Sequence, residues 1–339
     1  MDIISFSISN ITFNVAIFLN IRQVLPVITK ADRGGITAKI IKKLPWWPQT
    51  QVLKLITNMR VIKNGNTIED QNFCKFLLEV GEGKMQTFPD IGTTNDVIRI
   101  PDEYIFGTQD PIDLIKWVYP DLINPLGMPN VDSKAILCAT NKNVDMLNDL
   151  ALGMMSNNVT NHISADSVVC QDSENETVNF PVEFLHSLNP PGMAPHKLAL
   201  KRGAPIILLR NLDPKRGLCN GTRLIVESAT NTLLTVKITN GSHAGQLAYI
   251  PRIDLCTAEG MYPFIMKRRQ FPVKLAFAMT INKAQGQSLT RVGIYLPLPV
   301  FAHGQLYVAL SRAGIPSQTK ILIVNVPNVQ GTGKSWRLY

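Results

Sequence analysis

Leu275-Ala276-Phe277-Ala278-Met279-Thr280-Ile281-Asn282-Lys283-Ala284-Gln285-Gly286-Gln287-Ser288-Leu289 begins as an apolar run and ends as a polar stretch holding one glycine. Residues 273–279 read as a strand and 282–289 as a short helix; 292–296 read as a strand, 302–312 as a helix and 320–326 as a strand. The same alternation stands earlier. Residues 135–138 form an apolar strand, and Thr140 or Asn141 caps a helix through about Met154 with Val144, Leu147, Leu150 and Ala151 on one face. Strand, loop and helix repeated in this way describe a parallel sheet covered on both faces, so the fold class is α/β. Thr280, Asn282, Lys283 and Gln285 gather donors where a strand ends, and open α/β sheets bind ligands at such carboxyl ends.

Working outward, the pattern changes between these two α/β stretches. Residues 205–209, 223–227, 233–238 and 246–251 are short strands separated by Asp213-Pro214, Asn220-Gly221, Asn231 and Asn240-Gly241. They predict a small all-β barrel or meander, from 205 to about 255, inserted in the α/β domain. Residues 156–179, rich in Asn and Ser, predict a surface loop or edge hairpin. Residues 70–80 set Phe73, Phe76, Leu77 and Val80 at helical spacing, with a stop at Gly81 to Gly83.

Composition narrows the function. A length of 339 residues suggests about two domains at roughly 150 residues each. A hydrophobic share of 45% is too high for a disordered chain. No run reaches about 18 unbroken apolar residues, so no membrane span is expected. The balance of 34 basic against 25 acidic residues, +9 net, favours a polyanionic partner, nucleic acid first. Lys267, Arg268, Arg269, Lys274 and Lys283, with no acid between Met266 and Ser288, predict a track for single-stranded DNA. Five cysteines without C-x-x-C spacing fit free thiols in a reducing, intracellular compartment. Five histidines without H-E-x-x-H or H-x3-H spacing predict no metal site.

Four stretches carry candidate chemistry. Gln23, in Arg22-Gln23-Val24-Leu25-Pro26-Val27, has an amide able to bond a phosphate oxygen or an attacking water. Arg60, in Thr57-Asn58-Met59-Arg60, offers a planar fork to phosphate. The third is the 280–289 stretch, where Gly286 permits close backbone approach. The fourth, Gly304-Gln305-Leu306-Tyr307-Val308-Ala309-Leu310-Ser311-Arg312, is a buried helical stripe ending in an arginine able to reach a terminal phosphate. Gly331-Thr332-Gly333-Lys334-Ser335 imitates a phosphate loop, but that pattern needs a glycine where Asn328 stands, and a long helix after it.

The third and fourth stretches together closely resemble motifs V and VI of superfamily-one DNA helicases of the Pif type (petite integration frequency), including those encoded by Helitron transposons. Residues 203–214 with Gly217-Leu218-Cys219-Asn220-Gly221-Thr222-Arg223 resemble the start of that branch's inserted barrel. Leu137-Cys138-Ala139-Thr140-Asn141 with Asn148, and the Gln23 and Arg60 stretches, resemble further family segments in family order. The resemblance runs from about Asn20 to Val326 and leaves Met1 to Leu19 outside it. Leu19-Asn20 stand where the family has Gly-Asp, and neither a Walker A loop nor a Walker B acid pair occurs.

The resemblance implies a RecA-like, P-loop-NTPase-type sheet domain with the inserted barrel. Residues 1–60 would be a remnant of a first RecA-like domain, 61–203 and 257–339 the two parts of a second, and 204–256 the barrel. It further implies part of an ATP-dependent 5′-to-3′ DNA helicase, inactive alone, with ATP and Mg2+ as cofactors, single-stranded DNA as partner, and work in replication, repair and recombination in the nucleus or mitochondrion. Gln23, Arg60 and Arg312 would be the catalytic residues, Gly286, Gln287 and Ser288 would bind nucleotide, and Thr140, Asn141, Thr280, Asn282 and Lys283 would meet DNA. The rival reading is a non-enzymatic nucleic-acid-binding remnant of a transposon-encoded helicase.

Overall fold

The computed structural model describes residues 2–5, 17–19, 51–54, 62, 67–89, 96–123, 131–169, 180–300, 302, 304–324 and 335–337. The chain divides into two compact units: Met1–Pro111 with Leu137–Asn141 and Thr280–Tyr339, and Ile112–Ile136 with Lys142–Met279.

In the first unit, helix Ile68–Glu82 starts at Thr67, whose Oγ1 accepts the Asp70 amide N–H at 3.1 Å, and stops at Gly83, whose φ of 66° no ordinary side chain favours. It is longer than the expected 70–80 because the stop falls at the last of the three residues from Gly81 to Gly83, while Gly81 is buried inside the helix. Phe73 and Phe76 stack against Tyr104 at ring distances of 5.2 and 5.6 Å. A four-stranded sheet runs Ala278–Thr280, Lys134–Cys138, Arg291–Leu296, Thr319–Ile323, with the last two strands parallel. Of this sheet, the last two strands with Leu137, Cys138 and Thr280 belong to the first unit. Asp2–Ser5 pairs antiparallel with Ile17–Leu19 and Gln51–Lys54. Ser335–Arg337 is a strand paired antiparallel with Asp96–Arg99, so strand rather than helix follows the glycines that imitate a phosphate loop.

The second unit holds the predicted meander. Leu247–Pro251, Leu233–Ile238, Arg223–Ala229, Pro205–Leu208 and Val273–Leu275 form one antiparallel sheet in that order. Alternation fills its inner face with Leu224, Val226, Leu234, Val236, Ile238 and Ile250, while Lys237, Leu247 and Tyr249 point outward. Helix Asn141–Met154 lies where the periodicity placed it.

Four expectations change. Residues 273–279 are not one strand: Val273–Leu275 completes the meander and Ala278–Thr280 belongs to the other sheet, because the chain crosses between sheets at Ala276 and Phe277. Residues 282–289 are successive turns, not a helix, since Gly286 at φ 81° breaks the right-handed course. The 302–312 helix shrinks to Gln305–Leu310 because Gly304 enters it in the left-handed conformation. Within 156–179, Thr160–Ile163 pairs with Lys197–Leu200 and Ala165–Val169 with Ile265–Gln270, so neighbouring strands join different sheets instead of forming a hairpin. No helix among the described residues is long and apolar enough to cross a membrane.

Candidate functional site

Nine of the eleven expected site residues fall in the first unit's described residues; Gln23 and Arg60 lie outside the described residues. The 280–288 segment is built from short-range bonds. Lys283 N–H donates to Thr280 O at 3.0 Å, Ala284 N–H to Ile281 O at 3.2 Å, Gln285 N–H to Asn282 O at 3.3 Å and Gln287 N–H to Ala284 O at 3.1 Å. Ile281, Ala284 and Leu289 are buried anchors between exposed Lys283, Gly286 and Ser288. Apolar residues at a spacing of three to five thus pin the turns and leave polar groups and backbone facing outward. A Cβ at Gly286 would meet nothing within 4 Å, so the conformation, not crowding, selects glycine there.

Arg312 locks this turn. It is 5% exposed; its Nε donates to Val308 O at 2.9 Å, one terminal nitrogen to Ala284 O at 3.3 Å and Gln287 O at 3.1 Å, and the other to Ser311 Oγ at 2.9 Å. Arg312 O in turn accepts Leu289 N–H at 3.1 Å. The two stretches that the motifs single out are therefore one bonded structure. Ile281 N–H donates to Cys138 O at 2.9 Å, which brings the end of strand Lys134–Cys138, and with it half-buried Thr140 and exposed Asn141, beside the turn. Asn282 Oδ1 is buried with no hydrogen-bond partner among the described residues.

The donor set suits phosphate better than a metal. From Gly260 to Tyr339 the chain contains no Asp or Glu, so this stretch carries positive charge and no carboxylate for Mg2+. These residues do not fit the magnesium.

The expected basic track is corrected by burial. Arg268 is fully buried, 2.7 Å from Asp166 Oδ2, with Nε on both carboxylate oxygens and further bonds to the carbonyls of Ala194, Leu185 and Leu188. Lys267 and Arg269 both pair with Asp254, at 3.7 and 3.3 Å. Strand alternation explains it: Met266, Arg268 and Gln270 face in while Lys267 and Arg269 face out. Of the five cations, Lys274 and Lys283 are not tied into these pairs with Asp166 and Asp254. Asp166, His186 and His196 also lie with ligand atoms within 4.8 Å of one another. Asp166 already receives Arg268 and, at 2.6 Å, the Ser164 hydroxyl, so its lone pairs are spent on that network.

Sequence reasoning missed this buried pair and Tyr119 under the 275–278 crossing; Asn148 and Arg223 stood in family-like stretches, but their bonds to the crossing were not foreseen. Asn148, 4% exposed, bonds Ala278 N–H at 2.9 Å and the carbonyls of Ala278 and Leu275 at 3.2 and 3.3 Å. Tyr119 and Arg223 occupy the neighbouring carbonyls. Burial holds the Tyr119 hydroxyl well above the usual phenol range, so it stays a donor.

Two family models match the chain: PIF1-like helicase over residues 13–90 and DNA helicase Pif1, 2B domain, over residues 183–228. The ATP-dependent DNA helicase PIF1 of Xenopus laevis is 31% identical over 188 residues, 53% of this chain and 29% of that protein. That of Rattus norvegicus is 43% identical over 119 residues, 34% of this chain and 18% of that protein. The matched stretches thus span under a third of these relatives' length. Among solved structures, the Bacteroides Pif1 helicase in complex with ADP-AlF3 and ssDNA superposes with a TM-score of 0.56 at 19% identity, covering 94% of this chain and 67% of that one. The Candida albicans Pif1 helicase gives 0.54 at 22%, covering 90% and 62%. The chain thus resembles Pif1-like helicases, 2B domain included, in sequence and fold.

Proposed function

We propose that this chain, similar to Pif1-like helicases, supplies the second-domain half of an ATP-dependent 5′-to-3′ DNA helicase. The carrying observation is the Arg312 guanidinium bonded into the turn at Ala284 and Gln287, which unites a glycine-containing polar turn and the arginine of the second motif in one bonded structure. Thr280, Asn282 and Lys283 would hold the backbone of single-stranded DNA with Thr140 and Asn141. Gly286, Gln287 and Ser288 would face the nucleotide. Arg312, with Gln23 and Arg60, would stabilise charge developing on the transferred phosphoryl group, as preorganised cations do. ATP supplies that phosphoryl group; magnesium and the phosphate cradle would come from outside these 339 residues, since no G-x-x-x-x-G-K-[ST] occurs in them.

The experiment is ATP turnover by the purified chain with and without an oligonucleotide. No DNA-stimulated turnover is expected, because the largest electrostatic terms of phosphoryl transfer are missing. Turnover at rates ordinary for helicases, lost in Arg312→Ala, would overturn the assignment of a dependent half.

A further inference from the structure

The segment that delivers the chain to this turn is held in an unusual way. Between Val273–Leu275 and Ala278–Thr280 the chain leaves one sheet and joins another. At such a crossing, backbone groups lose ladder partners and must be satisfied otherwise. Here four consecutive carbonyls are each met by a buried side chain. Leu275 O and Ala278 O accept from the Asn148 amide at 3.3 and 3.2 Å. Ala276 O accepts from Arg223 at 3.1 Å, and Phe277 O accepts both the Ile136 N–H at 2.9 Å, as a strand bond, and the Tyr119 hydroxyl at 2.7 Å. Arg223 and Tyr119 also share Lys134 O, at 2.8 and 3.1 Å, at the start of strand Lys134–Cys138. The Tyr119 ring stands edge-on to Phe277 at 5.6 Å.

We infer that Tyr119, Arg223 and Asn148 form a positioning brace that fixes the backbone of residues 275–278 and of Lys134, from which the chain runs on directly into 280–288 and towards 140–141. The brace grips the two strands that run, within two or three residues, into the expected DNA contacts. Arg223 opens strand Arg223–Ala229 of the meander, so a shift of that sheet acts on the Ala276 carbonyl through a guanidinium. The chemistry supports positioning over simple core filling. Arg223 is 4% exposed and bonds carbonyl oxygens, with its Nε lacking a partner among the described residues. Burying a guanidinium against neutral acceptors is costly, and an apolar residue would fill the space more cheaply. What an apolar residue cannot do is fix two carbonyls on two strands at once. None of the three touches the proposed ligand; each acts through the backbone.

This inference rests on the DNA-contact reading of the turn, and the test separates the two. Tyr119→Phe keeps the ring and removes the hydroxyl; Arg223→Lys keeps the charge and loses the two-carbonyl reach. Amide hydrogen exchange of peptides spanning 281–288 is measured beside oligonucleotide affinity, with Ile250→Val in the meander core as a control of ordinary destabilisation and Lys283→Ala as the direct-contact benchmark. Exchange across 281–288 is expected to rise about fivefold in Tyr119→Phe, the equivalent of one net hydrogen bond, with Arg291–Leu296 unchanged. Affinity is expected to fall at least as far as in Lys283→Ala, and Ile250→Val to move neither. If exchange at 281–288 stays at the wild-type level in both brace variants, or rises equally in Ile250→Val, the brace is only core. If wild type binds, Lys283→Ala weakens it and the brace variants bind like wild type, positioning is refuted while the contact reading stands. Should wild type not bind at all, the contact reading fails and exchange alone decides the brace.

Discussion

Arg268 and Arg312 each bury a guanidinium, but the first faces a carboxylate and the second is bonded to carbonyls. Arg268 sits on an antiparallel strand with Asp166 at 2.7 Å, so its charge is cancelled where it stands. Arg312 stands two residues past a six-residue helix, and its bonds to Val308, Ala284 and Gln287 run to neutral oxygens. In the proposed reading the difference separates a staple from a site. A neutralised pair adds rigidity and projects little field, whereas a guanidinium held by carbonyls keeps its charge.

The largest break of this comparison is Arg268→Met. It leaves Asp166 buried and unpaired, and the cost is about 3–5 kcal/mol in urea unfolding. Adding Asp166→Leu removes the orphaned charge, and most of that loss is expected to return. A double variant no more stable than the single would show that Arg268 works through its carbonyl bonds rather than through Asp166.

Next in size is Arg312→Lys. A lysine keeps the charge but has one nitrogen, so it cannot hold Val308 O and Ser311 Oγ together with the Ala284 and Gln287 carbonyls. Two or three lost bonds should cost about 1–3 kcal/mol locally and raise hydrogen exchange at Ala284 to Leu289. Exchange unchanged in this variant would mean that the turn holds its shape without the arginine.

How far these two regions were legible differs for a physical reason. The turn was legible because local chemistry marks it: a glycine, a bunch of donors and a strand end occur within ten residues. The helix assigned to 282–289 failed because apolar Ile281, Ala284 and Leu289 imitate helical spacing, while Gly286 at positive φ sets the actual course. The Arg268 pair was hidden because Asp166 lies 102 positions away and nothing local announces it. The alternation Met266, Arg268, Gln270 was a usable signal that the arginine faced inward. The crossing at Ala276 was invisible for the same cause: residues 273–279 read as one apolar strand whichever sheet takes each half.

Acid sharpens the contrast between silent and active charge in the second unit. His162 is 1% exposed, both ring nitrogens lack partners among the described residues, and its ring stands edge-on to Phe271. Burial, helped by the Arg252 charge, holds its pKa below the ordinary value, so the folded state keeps it neutral. Below about pH 6.5 the unfolded chain binds a proton that the folded chain refuses. Stability should therefore fall with falling pH by up to about 1.4 kcal/mol per pH unit, until the folded imidazole also titrates. His162→Phe is expected to remove that acid dependence; a variant with the same slope between pH 6.5 and 5 would assign it to other groups, His196 first, whose pKa burial also lowers.

The smallest effect bears most directly on function. With Arg268 buried and Lys267 and Arg269 shared with Asp254, Lys274 and Lys283 are the cations of the basic stretch outside the pairs with Asp166 and Asp254. Two phosphate contacts to single-stranded DNA give a slope of log K on log salt near −0.7 × 2, about −1.4. From about 50 to 200 mM salt the affinity contributed by this stretch should fall about sevenfold. Lys283→Ala should flatten the slope by about 0.7 and weaken all sequences alike, because phosphate contacts carry no base information. Removing both Lys267 and Arg269 should change it far less, since each is already answered by Asp254. Fluorescence anisotropy on one labelled oligonucleotide, titrated with salt for the three proteins side by side, checks the ranking. If the double variant flattens the slope more than Lys283→Ala does, the outer face of strand Ile265–Gln270 is the DNA track, and the turn gripped by Arg312 is not.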